Sequence, residues 1–196
     1  MNKKTTFYLV LIALFSALVF VVTYLLPVPI GVVGYVNFGD AVIFIASMVL
    51  GPVGGMVAGA VGSTLADVFL GYVTYAPFTF FVKGAEGLVC GLLYGKALFG
   101  KKSWVRRAVS MTVAGVVATL GYFIADLVLY GIYAALANCV FMVLQVGVSM
   151  LIAFVALPRV PALYEHGAWK TDAIQKKKED SEKEEGEKEE NDTSEK

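Results

Sequence analysis

Long apolar segments dominate this sequence and limit the folds open to it. A helix needs roughly 20 mostly apolar residues to cross a bilayer, and six segments of the chain are candidates for such spans. They cover residues 7–26, 40–50, 53–73, 77–98, 104–129 and 135–157. Hydrophobic residues make up 58% of the chain and charged residues only 16%, which excludes an ordinary soluble domain. The sequence therefore predicts an all-α integral membrane protein built as a bundle of six transmembrane helices.

The distribution of basic residues predicts the orientation of these spans. Lys and Arg concentrate in the short loops on the cytoplasmic side of a membrane. Basic residues precede the first span, separate the fourth from the fifth and follow the sixth, whereas the loops at 27–39, 73–76 and 130–135 contain none. We therefore expect both the N terminus and the C terminus to be cytoplasmic.

Several polar residues interrupt the apolar segments in the extracytoplasmic half of the expected bundle. Thr79, Lys83 and Glu86 share one helical face, because residues three and four apart align on a helix. Asn138 and Gln145 are seven apart in the sixth span and also share a face. Charges in hydrocarbon cost on the order of 3 kcal/mol each, so such side chains face the bundle interior or a watery cavity. A cavity open to the outside would bring these residues together.

A purely structural role for the charged residues stays open. Lys83 and Glu86 are close enough in sequence to pair with each other and only join helices. Asp67 could in the same way neutralise a residue on a neighbouring helix. Asp40 and Asp126 lie near the expected membrane interface, where a solvated helix cap explains them equally well.

Small residues recur at every fourth position along the third span. Gly51, Gly55, Gly59 and Ser63 form this ladder. Small residues let membrane helices approach closely where lipid provides no hydrophobic drive for association. The ladder therefore predicts tight packing of the third span against a neighbouring helix.

Patterns that indicate catalysis or metal binding are missing from the sequence. The single histidine, His166, lies beyond the last span, and both cysteines lie inside apolar segments. The sequence has no P-loop and no dinucleotide fingerprint, so this chain cannot hydrolyse ATP by itself. We expect no enzyme activity, no metal site and no cofactor.

The sequence resembles the substrate-binding S components of energy-coupling factor (ECF) vitamin transporters, of the riboflavin or hydroxymethylpyrimidine type. The resemblance covers about residues 5–160 and depends on the motifs GPVGG, AD and VKGAEG, with an Ala-x-x-x-Ala pattern in the first span. It implies a six-helix S-component domain over residues 1–165 that binds one vitamin near the outer face. Residues 166–196 are a charged segment that we expect to be a disordered cytoplasmic tail.

The resemblance also implies partners, a location and site residues. A membrane T component and two ATPases form the ECF module that drives uptake, and Ala13 and Ala17 are the expected T-component interface. The expected location is the plasma membrane of a prokaryote, with residues 27–39 as a lid over the vitamin. Candidate vitamins are riboflavin, a pyridoxine-like or hydroxymethylpyrimidine-like ring, and pantothenate. Together with the polar pattern, the resemblance gives the expected substrate-binding residues Tyr35, Asn37, Asp67, Tyr75, Thr79, Lys83, Glu86, Tyr122, Asn138 and Gln145.

Two other functions remain as alternatives. A stand-alone ion-coupled secondary transporter of a small polar solute could use Asp67, Lys83 and Glu86 as a proton relay. A membrane enzyme acting on a lipid is disfavoured, because the inner half of the expected bundle has no paired nucleophile and base.

Overall fold

The computed structural model describes residues 3–30, 34–95 and 103–159, and most of these residues are helical. Five helices and two short strands follow one another along the described chain. They are α1 (Lys3–Leu25), β1 (Val28–Ile30), β2 (Gly34–Val36), α2 (Gly39–Phe69), α3 (Ala76–Gly95), α4 (Ser103–Tyr130) and α5 (Ile132–Ala156), and a 3-10 turn at Leu157–Arg159 follows α5. The expected tail at 166–196 lies outside the described residues, as does His166.

All five helices are long and apolar enough to cross a membrane. An all-helical membrane protein is therefore confirmed, whereas the expected count of six spans is not. The difference lies in α2, because this single helix of 31 residues contains the second predicted span and most of the third.

A break at Gly51 interrupts α2 between the second and third predicted spans. The φ of 80° and ψ of −174° at this residue are accessible to glycine but strained for a residue with a Cβ atom. Pro52 follows, and it suits the first turn of a helix because its missing N–H would have no partner there. The two predicted segments thus continue past one non-helical residue.

A small antiparallel hairpin connects α1 to α2. Val28 pairs with Val36, Pro29 with Tyr35 and Ile30 with Gly34. The sequence predicts a lid loop over residues 27–39 but gives no indication of these strands. Strands of three residues are too short to leave a readable alternation of polar and apolar positions.

α2 is the central helix of the described bundle. In the most apolar 18-residue stretch of α2, 72% of the residues are buried, against 22% in the same length of α1 and 28% in α4 and α5. The burial is high because α1, α3 and α5 pack against α2. Large apolar side chains on the outer helices are exposed instead, among them Leu14, Val128 and Leu151. Such exposed apolar surface marks the faces that meet lipid.

Backbones approach closely where α2 meets its neighbours. A Cβ atom on Gly87 of α3 would lie 2.3 Å from the backbone oxygen of Gly55, and one on Gly59 would lie 2.6 Å from the backbone oxygen of Lys83. On the side of α1, a Cβ atom on Gly62 would lie 2.5 Å from the backbone oxygen of Ser16. The tight packing that the glycine ladder predicts is therefore confirmed.

We expect Gly87→Ala to lower the free energy of unfolding by about 1–3 kcal/mol, because its methyl group would collide with backbone atoms that cannot rotate away. Gly147→Ala in α5 is the matched control, since a Cβ atom there meets nothing within 4 Å. The measurement is thermal unfolding of both purified variants in the same detergent. Equal stability of the two variants would contradict the close approach of α2 and α3.

Candidate functional site

A polar cavity lies at the end of the bundle where α2 and α4 finish and where α3 and α5 begin. It is partly open to solvent. The lining residues are Gly34, Tyr35, Asn37, Asp67, Tyr72, Tyr75, Thr79, Tyr122, Asp126, Asn138, Met142 and Gln145. Polar groups converging in an otherwise apolar membrane bundle are typical of a ligand site.

Each of the two carboxylates in the cavity accepts a hydrogen bond from a tyrosine. Tyr35 on β2 donates to Oδ1 of Asp67 at 2.5 Å, and Tyr75 donates to Oδ1 of Asp126 at 2.5 Å. Asn138 donates to the second oxygen of Asp126 at 3.2 Å. These bonds join the hairpin to α2, and α4 to α5, so they fix the shape of the cavity.

Both tyrosines that contact the carboxylates lie outside the helices and remain neutral. Burial raises the pKa of Tyr35, and the neighbouring charge of Asp67 raises this pKa further. Burial also raises the pKa of Tyr75, and its hydrogen bond to Asp126 is the second cause. Each phenol therefore keeps its proton at physiological pH and acts as a hydrogen-bond donor to a carboxylate.

A buried cluster of charged side chains lies deeper along α3, one turn beyond Thr79. The ammonium of Lys83 contacts Asp40 of α2 and lies 2.8 Å from Oε2 of Glu86, and none of these three side chains is more than 2% exposed. Gln145 of α5 donates to the second oxygen of Asp40 at 2.7 Å. The cluster thus ties α2, α3 and α5 together.

The hairpin is anchored to this cluster through Asn37. The backbone N–H of Asn37 donates to Oε1 of Gln145 at 3.0 Å. Its side-chain oxygen accepts from the backbone N–H of Gly39 at 2.8 Å and from Thr23 at 3.4 Å. One residue therefore connects the end of α1, the start of α2 and the amide of α5.

The contacts of Lys83 and Glu86 favour the structural interpretation of these residues. Neither is among the residues that line the cavity, and Lys83 is held by two carboxylates. As direct substrate ligands they stay a prediction. Asp40 and Asp126 are 0% and 3% exposed, so the interpretation of both as solvated helix caps is wrong. Their partners come from other helices and turns, which spacing along one helix cannot reveal.

The structure brings eight of the ten expected substrate-binding residues to one cavity. They are Tyr35, Asn37, Asp67, Tyr75, Thr79, Tyr122, Asn138 and Gln145. Their contact with substrate stays a prediction.

Four lining residues are missing from the expected set. They are Gly34, Tyr72, Asp126 and Met142. Tyr72 lies three residues before Tyr75 in the turn between α2 and α3, and that proximity is a signal that could have found it. Gly34 has no side chain and gives no such signal.

Ala13 and Ala17 lie on the exposed face of α1. On the opposite face Ile12, Phe15 and Val19 pack into the core. The Ala-x-x-x-Ala surface is therefore not used in packing against α2, and its role as the T-component interface stays a prediction.

Comparison with known proteins identifies the family. The sequence model for the S component of ECF-type riboflavin transporters matches residues 3–162. The chain belongs to this family. Members of the family are transporter subunits and not enzymes; they bind a substrate rather than a cofactor, and their ATPase partners are separate subunits. The predictions of the family, of no enzyme activity and of no cofactor are confirmed.

Two relatives show similarity in sequence. A protein of Pyrococcus woesei, described as an uncharacterized protein in a gap 3' region, is 41% identical over 105 residues, which are 54% of this chain and 68% of that protein. The thiamine precursor transporter HmpT of Lactococcus lactis subsp. cremoris (strain MG1363) is 26% identical over 162 residues, which are 82% of this chain and 91% of the relative.

Solved structures of S components share the fold. The S component of a bacterial ECF transporter has a TM-score of 0.62 at 22% identity, covering 81% of this chain and 96% of its own. ThiT from Listeria monocytogenes has a TM-score of 0.62 at 20% identity, with 83% and 99% covered. The S component for biotin from an ECF-type ABC transporter has a TM-score of 0.64 at 16% identity, with 85% and 95% covered.

We expect Lys83→Met to lower the free energy of unfolding by about 3–5 kcal/mol, because it leaves Asp40 and Glu86 as uncompensated buried charges. The matched control combines Lys83→Met with Asp40→Asn and Glu86→Gln, which removes all three charges and should recover most of the loss. Thermal unfolding in detergent measures both variants. If Lys83→Met alone is as stable as the unsubstituted chain, the cluster is not needed to hold the helices together.

Proposed function

We propose that this chain is the substrate-binding S component of an ECF importer for a B-type vitamin or a related small molecule. The observation that carries the proposal is the cavity lined by Tyr, Asp, Asn and Gln at one end of a bundle whose outer faces are apolar. A small molecule with an aromatic ring and polar groups fits such a lining, because rings stack on tyrosine and the polar groups fix its orientation.

The charge pattern of the loops supports an outward-facing cavity. The connections at the cavity end, 27–39, 70–75 and 131, contain no Lys or Arg, whereas Arg106 and Arg107 lie near the start of α4, at the opposite end of the bundle. By the positive-inside rule, the cavity end is extracytoplasmic. We further propose six spans with both termini in the cytoplasm of a prokaryotic cell, in which the two segments of α2 on either side of Gly51 count separately.

We propose that the hairpin acts as the lid of the cavity. Tyr35 and Asn37 reach from the hairpin to Asp67 and Gln145, so these two bonds hold the lid against the helices. A vitamin that enters from outside displaces the hairpin, occupies the cavity and is covered again when the bonds re-form. The expected binding residues are the lining set, with Lys83 and Glu86 supporting it from below.

The relatives suggest which vitamins to consider. The name of the matching family refers to riboflavin, that of HmpT to a thiamine precursor and that of one solved structure to biotin. The resemblance seen in the sequence gives riboflavin, a pyridoxine-like or hydroxymethylpyrimidine-like ring and pantothenate as candidates.

Uptake measurements with and without an ECF module test the proposed function. We expect the purified chain to bind a vitamin in the absence of ATP, and we expect uptake only when a T component and two ATPases are present with it, because the chain contains no nucleotide-binding motif. Uptake by the chain alone in proteoliposomes under a pH gradient would favour the alternative, a stand-alone secondary transporter.

A second experiment tests the interface on α1. We expect Ala13→Trp and Ala17→Trp to abolish module-dependent uptake while leaving vitamin binding unchanged, because a bulky ring prevents close approach of another helix. Val148→Trp on α5, a position 43% exposed, is the matched control and should transport normally. Normal uptake by the α1 variants would place the T-component contact elsewhere.

A further inference from the structure

The hydrogen-bond donors in the cavity wall are largely occupied by the protein itself. Tyr35 and Tyr75 donate to Asp67 and Asp126, as described above. Tyr122 donates to the hydroxyl of Thr79 at 3.1 Å. The amide of Gln145 donates to Asp40. A ligand in this cavity therefore finds few donors that are free to bind its acceptors.

One strong acceptor in the wall is free. Asp67 is 4% exposed, and its Oδ2 accepts no hydrogen bond of normal geometry, although the hydroxyl of Thr79 lies near enough to interact with the same carboxylate. Its other oxygen accepts a hydrogen bond from Tyr35 of the hairpin. A buried carboxylate oxygen without a partner is costly, so a donor on the ligand would satisfy it.

The charge of the lining is negative. The lining residues include Asp67 and Asp126 but no Lys, Arg or His. The cation closest along α3, Lys83, is paired with both Asp40 and Glu86, which already balance its charge. A carboxylate on a ligand would therefore meet repulsion rather than a partner.

The ring surfaces of the wall suit a flat ligand. Tyr35 and Tyr72 lie with ring centroids 4.9 Å apart, and Tyr75 and Tyr122 line the same space. Aromatic faces attract cations and electron-poor rings through their quadrupole. Shape, charge and hydrogen-bonding capacity thus all favour the same kind of ligand.

We propose that the cavity selects a planar heteroaromatic ring that carries an amino group or a positive charge directed at Oδ2 of Asp67, in preference to a vitamin that carries a carboxylate. This substrate class rests on the proposed function of the chain as an S component. It divides the candidates, since an aminopyrimidine satisfies the free acceptor, whereas biotin and pantothenate bring a carboxylate to a negative wall. Riboflavin carries no amino group and is expected to bind more weakly.

Calorimetry on the purified full-length chain tests the substrate class with four probes. They are an aminopyrimidine with methyl and hydroxymethyl groups, its counterpart in which a methyl group replaces the amino group, riboflavin and biotin. We expect the aminopyrimidine to bind at least about tenfold more tightly than its methyl counterpart, because that exchange removes the donor to a buried acceptor. We expect riboflavin to bind more weakly than the aminopyrimidine, and biotin not to bind.

The failure of the substrate class is distinct from the failure of the proposed function. Tighter binding of riboflavin or biotin than of the aminopyrimidine would overturn the class and leave the S-component function standing. The class also fails if no probe binds while module-dependent uptake of another vitamin is observed. Absence of both binding and module-dependent uptake would overturn the two proposals together.

A pair of variants tests the contact with Oδ2 of Asp67. Asp67→Asn should reduce the preference for the aminopyrimidine over its methyl counterpart by about tenfold, because an amide is a weaker acceptor than a carboxylate. Asp126→Asn makes the same chemical change at a carboxylate whose two oxygens already accept hydrogen bonds. This variant should therefore lose less of the preference for the aminopyrimidine. Equal losses in the two variants would overturn the assignment to Asp67. Should Asp67→Asn fail to fold, the preference measured on the unsubstituted chain decides.

Discussion

The geometry of the site depends on the ion pairs that the buried ammonium of Lys83 forms. An ionised side chain inside a membrane bundle is costly unless opposite charges surround it. Asp40 and Glu86 provide those charges from the first segment of α2 and from α3 itself. Because buried ion pairs add little net stability compared with apolar packing, their better-attested role is to fix one arrangement of the helices. Here that arrangement places α2 and α3 in a single register.

The cluster and the cavity belong to one chain of hydrogen bonds. Asp40 accepts from the amide of Gln145, and the same amide accepts from the backbone of Asn37 in the hairpin segment. Lys83 also lies 5.4 Å from the centre of the Tyr122 ring in the cavity wall. The position of the hairpin is therefore linked to the buried charges through the side chains of Gln145 and Asp40.

The sequence predicts most of the fold, because apolar length determines where membrane helices lie. The ends of α1 and α5 fall within a few residues of the predicted limits, and the break at Gly51 lies between the second and third predicted spans. Depth and helical face predict part of the site, including Thr79, Asn138 and Gln145, and the residues in the loops were expected from the family resemblance. The sequence does not predict which side chains pair with one another. Asp40 and Lys83, for example, form an ion pair although they lie 43 residues apart along the chain. The hairpin escapes prediction because its strands are too short to show a pattern.

Backbone meets backbone in part of the interface between α2 and α3, since no side chain separates Gly55 from Gly87. Such an interface restricts the size of the residues but not their chemistry. Many positions outside this contact can then be substituted without changing the relative position of the two helices. This is consistent with solved S components that superpose at a TM-score of 0.62 to 0.64 while sharing only 16% to 22% of their residues with this chain. A scaffold that close backbone contact helps to hold leaves the polar lining at the end of the bundle free to change in sequence and so to bind other substrates.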